Sequence, residues 1–271
     1  MSGGEAPKVP APPVPTDPAA RENLTRILSS PSYVRAQDDV AYLARPGLRG
    51  VRLLLELEKT DDFLNEEAIR STVVVFGGAR LTESSPWYRA AYEFGRLVST
   101  TCQVDGLCDF VITTGGGPGA MEAANRGAFD SGAKTVGLNI QLPHEQWPNA
   151  YITPSLCFRF HYFGIRKMHF LMRAKALVAF PGGFGTLDEL FETLTLIQTG
   201  KMSRVPVVLV GRAYWEKLIN WQFLVDEGAI AKRDLDLIAY AETAAEAWGA
   251  IVDYYGKYPM PAGSPFLNGP K

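Results

Sequence analysis

A doubly wound α/β sheet is the fold this sequence predicts, and three observations predict it. From Ser71 onward six short apolar runs, STVVVFGG, DFVITTGGG, AKTVGLNI, KALVAFPGG, VPVVLVG and LDLIAYAE, alternate with longer amphipathic segments, the pattern of a parallel sheet sheathed by helices. The runs are apolar at successive positions rather than at every second one, so burial on both faces is expected. Three of the first four end in glycine turns. Ligands in such sheets sit beyond the carboxyl ends of the strands, so these turns are expected to converge on one crevice.

The elements follow in chain order. Residues 1–20 are rich in proline and alanine with no period, which predicts a disordered tail. Residues 21–70 contain AARENLTRILSSPSYVRAQDDVAYLARP and LRGVRLLLELEKTDDFLNEEAIR, with apolar residues at helical spacing. Two or three helices are therefore expected to precede the sheet and to cover it or a partner subunit. Residues 71–256 hold the strand runs and form a Rossmann-like domain. Within it, YFGIRKMHFLMRAKALVAF places Tyr162, Ile165, Met168 and Phe170 to Met172 as helix core, with Arg166, Lys167, Arg173 and Lys175 as charge and His169 as a packed or surface residue. Residues 257–271 read as a second loose tail.

The chain has 271 residues, 46% hydrophobic and 21% charged, enough to bury the core of one large domain or two small ones. Its formal net charge of -2 supplies no basic excess, so neither a nucleic acid nor a membrane surface is an expected partner. A small anionic ligand in one pocket is compatible with that balance. Cys102, Cys108 and Cys157 form no CxxC pair, which supports neither a disulfide framework nor a zinc site and fits a reducing, cytoplasmic setting. MSGGEAPKVPAPPVPTDPAA lacks a basic region followed by an apolar run, and no segment reaches the roughly 18 apolar residues of a membrane span.

Two glycine motifs carry the chemistry. TTGGGPGAMEAANRGAF, Thr113 to Phe129, fits G-x-G-x-x-G/A loosely through Gly115, Gly117 and Ala120, yet no acidic residue follows the next strand, where TVGLNI offers Asn139. It reads as a nucleotide-contacting loop, with a plain tight turn as the alternative. FPGGFGTLDELFETL, Phe180 to Leu194, lacks the Gly-Lys-Ser/Thr of a P-loop. Gly182, Gly183, Gly185 and the Thr186 hydroxyl instead suggest a backbone nest suited to one terminal phosphate, against the alternative of a glycine-rich turn alone. Asp188 and Glu189 then fall in the first helical turn, and Thr186-Leu-Asp-Glu189 reads as a capping box. On spacing, Glu189 as cap and Glu189 as catalytic carboxylate stand level.

PGGFGTLDE, Pro181 to Glu189, fits the PGGxGTxxE signature of the LOG (Lonely Guy) family, and Arg166-Lys167 sits where that family carries its Arg-Lys pair. FGGAR, Phe76 to Arg80, resembles the family's first nucleotide-binding turn, TGGGPGAMEAAN its second, and GLNIQLPHEQ the strand and loop that follow. The resemblance covers roughly residues 71–228, and the long helical N-terminus is similar to that of the longer, second type of LOG protein. The chain departs from the family at Phe163-Gly164, where Met-His is usual.

The resemblance implies hydrolysis of the N-glycosidic bond of a nucleoside 5'-monophosphate, AMP or a cytokinin-type nucleotide modified at N6, to free base and ribose 5-phosphate. It assigns the phosphate to Gly182, Gly183, Gly185 and Thr186, with Thr195 as a further contact. Arg166 and Glu189 match the pair on which activity depends. Lys167, Glu145 and Phe184 match ligand-contacting positions, and Gly116, Met121 and Asn139 the sugar and base side. It implies a homodimer, with Leu53 to Leu57 expected in helices at or near the interface, and the hydrolysis scheme requires no cofactor and no metal. Cleavage passes through a ribosyl-cation-like state, so Glu189 is expected to orient the ribose, place the water or accept its proton. Arg166 is expected to neutralise the phosphate or hold Glu189 by a charge-assisted bond.

Family members are often labelled lysine decarboxylases, but no constellation here marks an aldimine lysine or a partner for a pyridine nitrogen. One alternative is a carrier of molybdenum cofactor, whose terminal phosphate the same nest would hold; another is a nucleotide-sensing interaction protein using the N-terminal helices. The Arg166 and Glu189 pair favours the enzyme, since a carrier has no evident need for a carboxylate facing the sugar.

Overall fold

The structure, a computed structural model, describes residues 14–103, 106, 108–142 and 147–258. Most of the two expected tails, residues 1–13 and 259–271, lies outside the described residues. Its packing divides the chain into two units, Met1–Leu54 and Leu55–Lys271. In the first, helix α1 (Pro18–Leu28) begins where Asp17 accepts the Ala19 N–H at 3.1 Å, and α2 (Val40–Leu43) where Asp39 accepts the Tyr42 N–H at 2.8 Å. Side-chain caps of this kind satisfy the orphan donors of a first turn. Neither helix buries a residue. Helix α3 (Arg49–Glu66) starts in the first unit and ends in the second, where it buries Thr60 and Leu64.

The second unit is a seven-stranded parallel sheet. Strands β1 (Thr72–Phe76), β2 (Val111–Thr114), β3 (Thr135–Ile140), β4 (Cys157–Phe160), β5 (Ala174–Ala179), β6 (Val207–Val210) and β7 (Ile238–Ala241) are arranged in the order β4-β3-β2-β1-β5-β6-β7. The first four run outward from β1 and the remaining three outward on its other side, which is the doubly wound topology expected. Helices α4 (Pro86–Cys102), α5 (Ala120–Asp130), α6 (Phe163–Met172), α7 (Phe184–Gln198), α8 (Arg212–Leu218), α9 (Trp221–Asp226) and α10 (Ala244–Lys257) complete the unit.

Six of the strands coincide with the six apolar runs. The strand not foreseen, β4, is an edge strand of four residues in which Arg159 is exposed between buried Phe158 and Phe160. One wet face breaks the continuous apolar signal of a central strand. Alternation within strands builds two cores. Val73, Val75, Ile112, Val178, Val208 and Val210 pack with α4, α5 and α10 on one face. Val74, Phe76, Val136, Leu138, Leu177 and Leu209 pack with Leu64 of α3, Phe170 of α6, Leu190 of α7 and Trp215 of α8 on the other. Met168, expected in the α6 core, is 48% exposed. It lies about 200° around the helix from buried Phe170, at 100° per residue.

Candidate active site

The glycine turns after β1, β2 and β5 meet at the carboxyl edge of the sheet. The Gly78 N–H donates to Pro181 O at 2.9 Å, and the Ala120 N–H donates to Gly78 O at 3.2 Å. From α8 the Tyr214 hydroxyl donates to Gly182 O at 2.7 Å and pins the third turn. A Cβ on Gly182 would collide with the buried Thr186 hydroxyl, so only glycine lets that hydroxyl reach the turn. Around Gly183 and Gly185 a Cβ would meet nothing within 4 Å: the space before this helix start is open.

Helix α7 begins earlier than the capping-box reading requires. Gly183, at φ -93 and ψ -150, is the N-cap, without a side-chain cap, and the Leu187 N–H donates to its carbonyl at 3.0 Å. Thr186 is therefore already inside the first turn and cannot cap it, and Asp188 and Glu189 fall in the second. The expected box is corrected because an extended glycine can start a helix where a threonine would otherwise be needed. The Phe184, Gly185 and Thr186 N–H groups are left without intrahelical acceptors, at the positive end of the dipole.

With the cap excluded, Glu189 is a buried carboxylate, 6% exposed. Burial pushes its pKa up to about 7; Lys167 and Arg166 oppose that shift, while Glu192 and Asp188 add to it. Lys167 bridges Asp188 and Glu192, each at 3.0 Å. Burial alone would lower the ammonium's pKa, but these two carboxylates raise it. Arg166 spends its Nε on Leu138 O at 2.8 Å, with the guanidinium 5.1 Å above the Phe170 ring. Burial lowers its pKa against the pull of Glu189 and Asp188, and a guanidinium remains charged under any such shift. Among the described residues no ion pair joins Arg166 to Glu189 directly; they interact as charges at longer range.

The second turn adds the remaining contacts. A Cβ on Gly115 would stand 2.7 Å from the Arg166 guanidinium and 3.0 Å from Met121 Sδ, and one on Gly116 would run into the Asn139 amide. Gly116 has φ +70, a conformation open to glycine at little cost. Gly116, Met121, Asn139 and Arg166 thus gather at one turn, and Gly182, Gly183, Gly185, Thr186, Lys167 and Glu189 along the start of α7. Thr195 stands apart: its hydroxyl donates to Phe191 O at 2.7 Å, and it lines a cavity with Leu194, Gln198 and Trp221. The Phe184 ring is 92% exposed, and Glu145 lies outside the described residues. Tyr214 and Glu192, one of the two carboxylates that hold Lys167, were not singled out by sequence and no motif marks them; the other, Asp188, stands in the PGGFGTLDE stretch.

Fold and site together define a Rossmann-like α/β protein with a glycine nest, a buried carboxylate and two cations at the carboxyl edge of its sheet. Residues 121–251 match the profile of a family described as possible lysine decarboxylase. The chain is 26% identical over 186 residues to cytokinin riboside 5'-monophosphate phosphoribohydrolase LOG3 of Arabidopsis thaliana, covering 67% of this chain and 82% of the relative. It is 27% identical over 190 residues to the enzyme LOG of Oryza sativa subsp. japonica, covering 69% and 74%. The X-ray structure of TM1055 superposes with a TM-score of 0.50 at 25% identity, covering 68% of this chain and 99% of that one. The chain is a relative of the LOG family at modest identity. The decarboxylase label finds no support in the site: Lys167 is held as an ammonium between two carboxylates, the reverse of the neutral amine a Schiff base requires.

Proposed function

We propose that the chain hydrolyses the N-glycosidic bond of a nucleoside 5'-monophosphate, AMP or an N6-prenylated cytokinin-type nucleotide, to free base and ribose 5-phosphate. The observation that carries this reading is Glu189, a buried carboxylate with a pKa near neutrality that has no capping role. In the proposed scheme the phosphate sits on the free N–H groups of Phe184, Gly185 and Thr186, with the Thr186 hydroxyl beside them. Glu189, about 4.5 Å further along the axis from Thr186, faces the ribose, where positive charge develops as the bond breaks. Ionised Glu189 stabilises that charge and takes the proton of the attacking water. Arg166 and Lys167 offset the charge of the phosphate and favour the ionised form of Glu189. The resemblance to LOG proteins also supports a homodimer.

The test incubates the purified full chain with AMP and with N6-prenylated AMP and assays free base and ribose 5-phosphate. Release is expected from at least one nucleotide. Glu189→Gln is expected to keep nucleotide binding and fold while turnover falls about 100-fold or more. Tight nucleotide binding with no release from either substrate would overturn the hydrolase and leave a carrier on the same fold.

A further inference from the structure

Beneath the second glycine turn lies a polar cluster that the hydrolysis scheme does not use. Asn125 of α5 is fully buried, as are Thr114 at the end of β2 and Thr135 at the start of β3. All four hydrogen-bonding positions of the Asn125 amide are taken. Its Oδ1 accepts from the Thr114 hydroxyl at 2.6 Å and from Asn149 Nδ2 at 3.0 Å. Its Nδ2 donates to Thr135 Oγ1 at 2.5 Å and to Val136 O at 3.4 Å. The Thr114 hydroxyl in turn accepts the Gly116 N–H at 2.9 Å. Asn149 closes the circuit from outside: its N–H donates to Gly116 O at 2.8 Å and its Nδ2 to Gly117 O at 3.1 Å.

Three separate chain segments therefore converge on one amide, and two of its four bonds lead to the turn. A buried amide and hydroxyl cluster adds little net stability over apolar groups of the same shape, but it admits a single geometry. That geometry matters at this turn, where Gly115 and Gly116 lie against Arg166 and Asn139.

We propose that Asn125 is a positioning residue: through Thr114 and Asn149 it fixes the Gly115–Gly117 turn against Arg166 and Asn139, and so sets the affinity for the sugar and base side of the nucleotide. The inference rests on the reading of this edge as a nucleotide pocket. It assigns Asn125 no contact with substrate.

Thr114→Val, Thr114→Ser and Asn149→Ala in the full chain separate this role from packing. Dissociation constants for AMP and for ribose 5-phosphate, KM and kcat, and the thermal midpoint are measured for each. Thr114→Val is expected to weaken AMP about tenfold, the size of one lost hydrogen bond, with kcat changed less than about threefold. Ribose 5-phosphate is expected to weaken by no more than AMP does, and Thr114→Ser, which keeps the hydroxyl, to recover AMP affinity. Asn149→Ala, at a half-buried position, keeps the fold even if the valine variant does not, and is expected to weaken AMP in the same direction. Wild-type AMP affinity in Asn149→Ala, or in Thr114→Val with a lowered midpoint, would overturn the proposal, as would a serine variant as weak as the valine one. A wild-type chain that binds AMP without hydrolysing it would sink the hydrolase reading instead, and the binding constants would still judge the relay.

Discussion

Glu189 and His169 respond to pH in opposite senses, and the contrast gives the pocket carboxylate a signature. Burial raises the Glu189 pKa from 4.5 to about 7, so the folded chain holds a proton that the unfolded chain releases. Stability from this group is complete below pH 4.5 and falls as pH rises towards 7, by on the order of 3 kcal/mol. His169, 4% exposed and packed against the Phe160 ring at 5.6 Å, is lowered by burial to about 4, so its contribution rises with pH between about 4 and 6.5. The two nearly cancel in the wild type. Glu189→Gln removes one side of the balance: its thermal midpoint is expected to match the wild type below pH ~4 and to exceed it above pH ~8. In the same experiments the wild-type kcat/KM for AMP is expected to rise with pH to a plateau beyond about 7, as Glu189 ionises. Equal midpoints at both extremes would contradict a buried, strained carboxylate.

At the scale of elements, the cations depend on how α6 is held. The Glu56 carboxylate of α3 accepts the His161 N–H at 2.7 Å and the Tyr162 N–H at 3.1 Å, so it anchors the entrance to the helix that carries Arg166 and Lys167. Glu56→Ala removes two charge-assisted bonds and is expected to cost roughly 2 kcal/mol, with faster hydrogen exchange at His161 and Tyr162; unchanged exchange at both would show the anchor to be idle. Such long-range pairs are what sequence could not supply. The central strands were legible because burial on both faces writes an uninterrupted apolar run. The glycine turns were legible because they pack so closely that a Cβ at Gly77, Gly119 or Gly182 would collide with its neighbours. Edge strand β4 was not, with Arg159 between two phenylalanines, and the start of α7 was read too late because a threonine three residues ahead of a glutamate imitates a cap. Asn125 stood in a motif that was read, but partners 10 to 24 positions away leave no local trace.

For the whole molecule, the apolar residues left outside the cores bear on assembly. Leu54 is 54% exposed, Leu55 53% and Phe63 38%, all on α3, and the first two fall in the Leu53 to Leu57 stretch expected at or near the interface of the proposed homodimer. Sedimentation velocity is expected to find a dimer, and Leu55→Glu to shift it towards monomer, since an interface core rejects an unpaired charge; a monomeric wild type would remove the dimer from the proposal. Among the described residues no helix is long and apolar enough to cross a membrane. The doubly wound order also divides the pocket between two stretches of chain. In the proposed reading the turn after β5 and the start of α7 form the phosphate seat, and the turn after β2 and the end of β3 the sugar and base side, with β1 standing between β2 and β5 in the sheet. Under the proposed function the two seats are separable: substitutions within residues 116–140 are expected to change which base is accepted, and substitutions at Gly182, Gly183, Gly185 or Thr186 the affinity for a terminal phosphate.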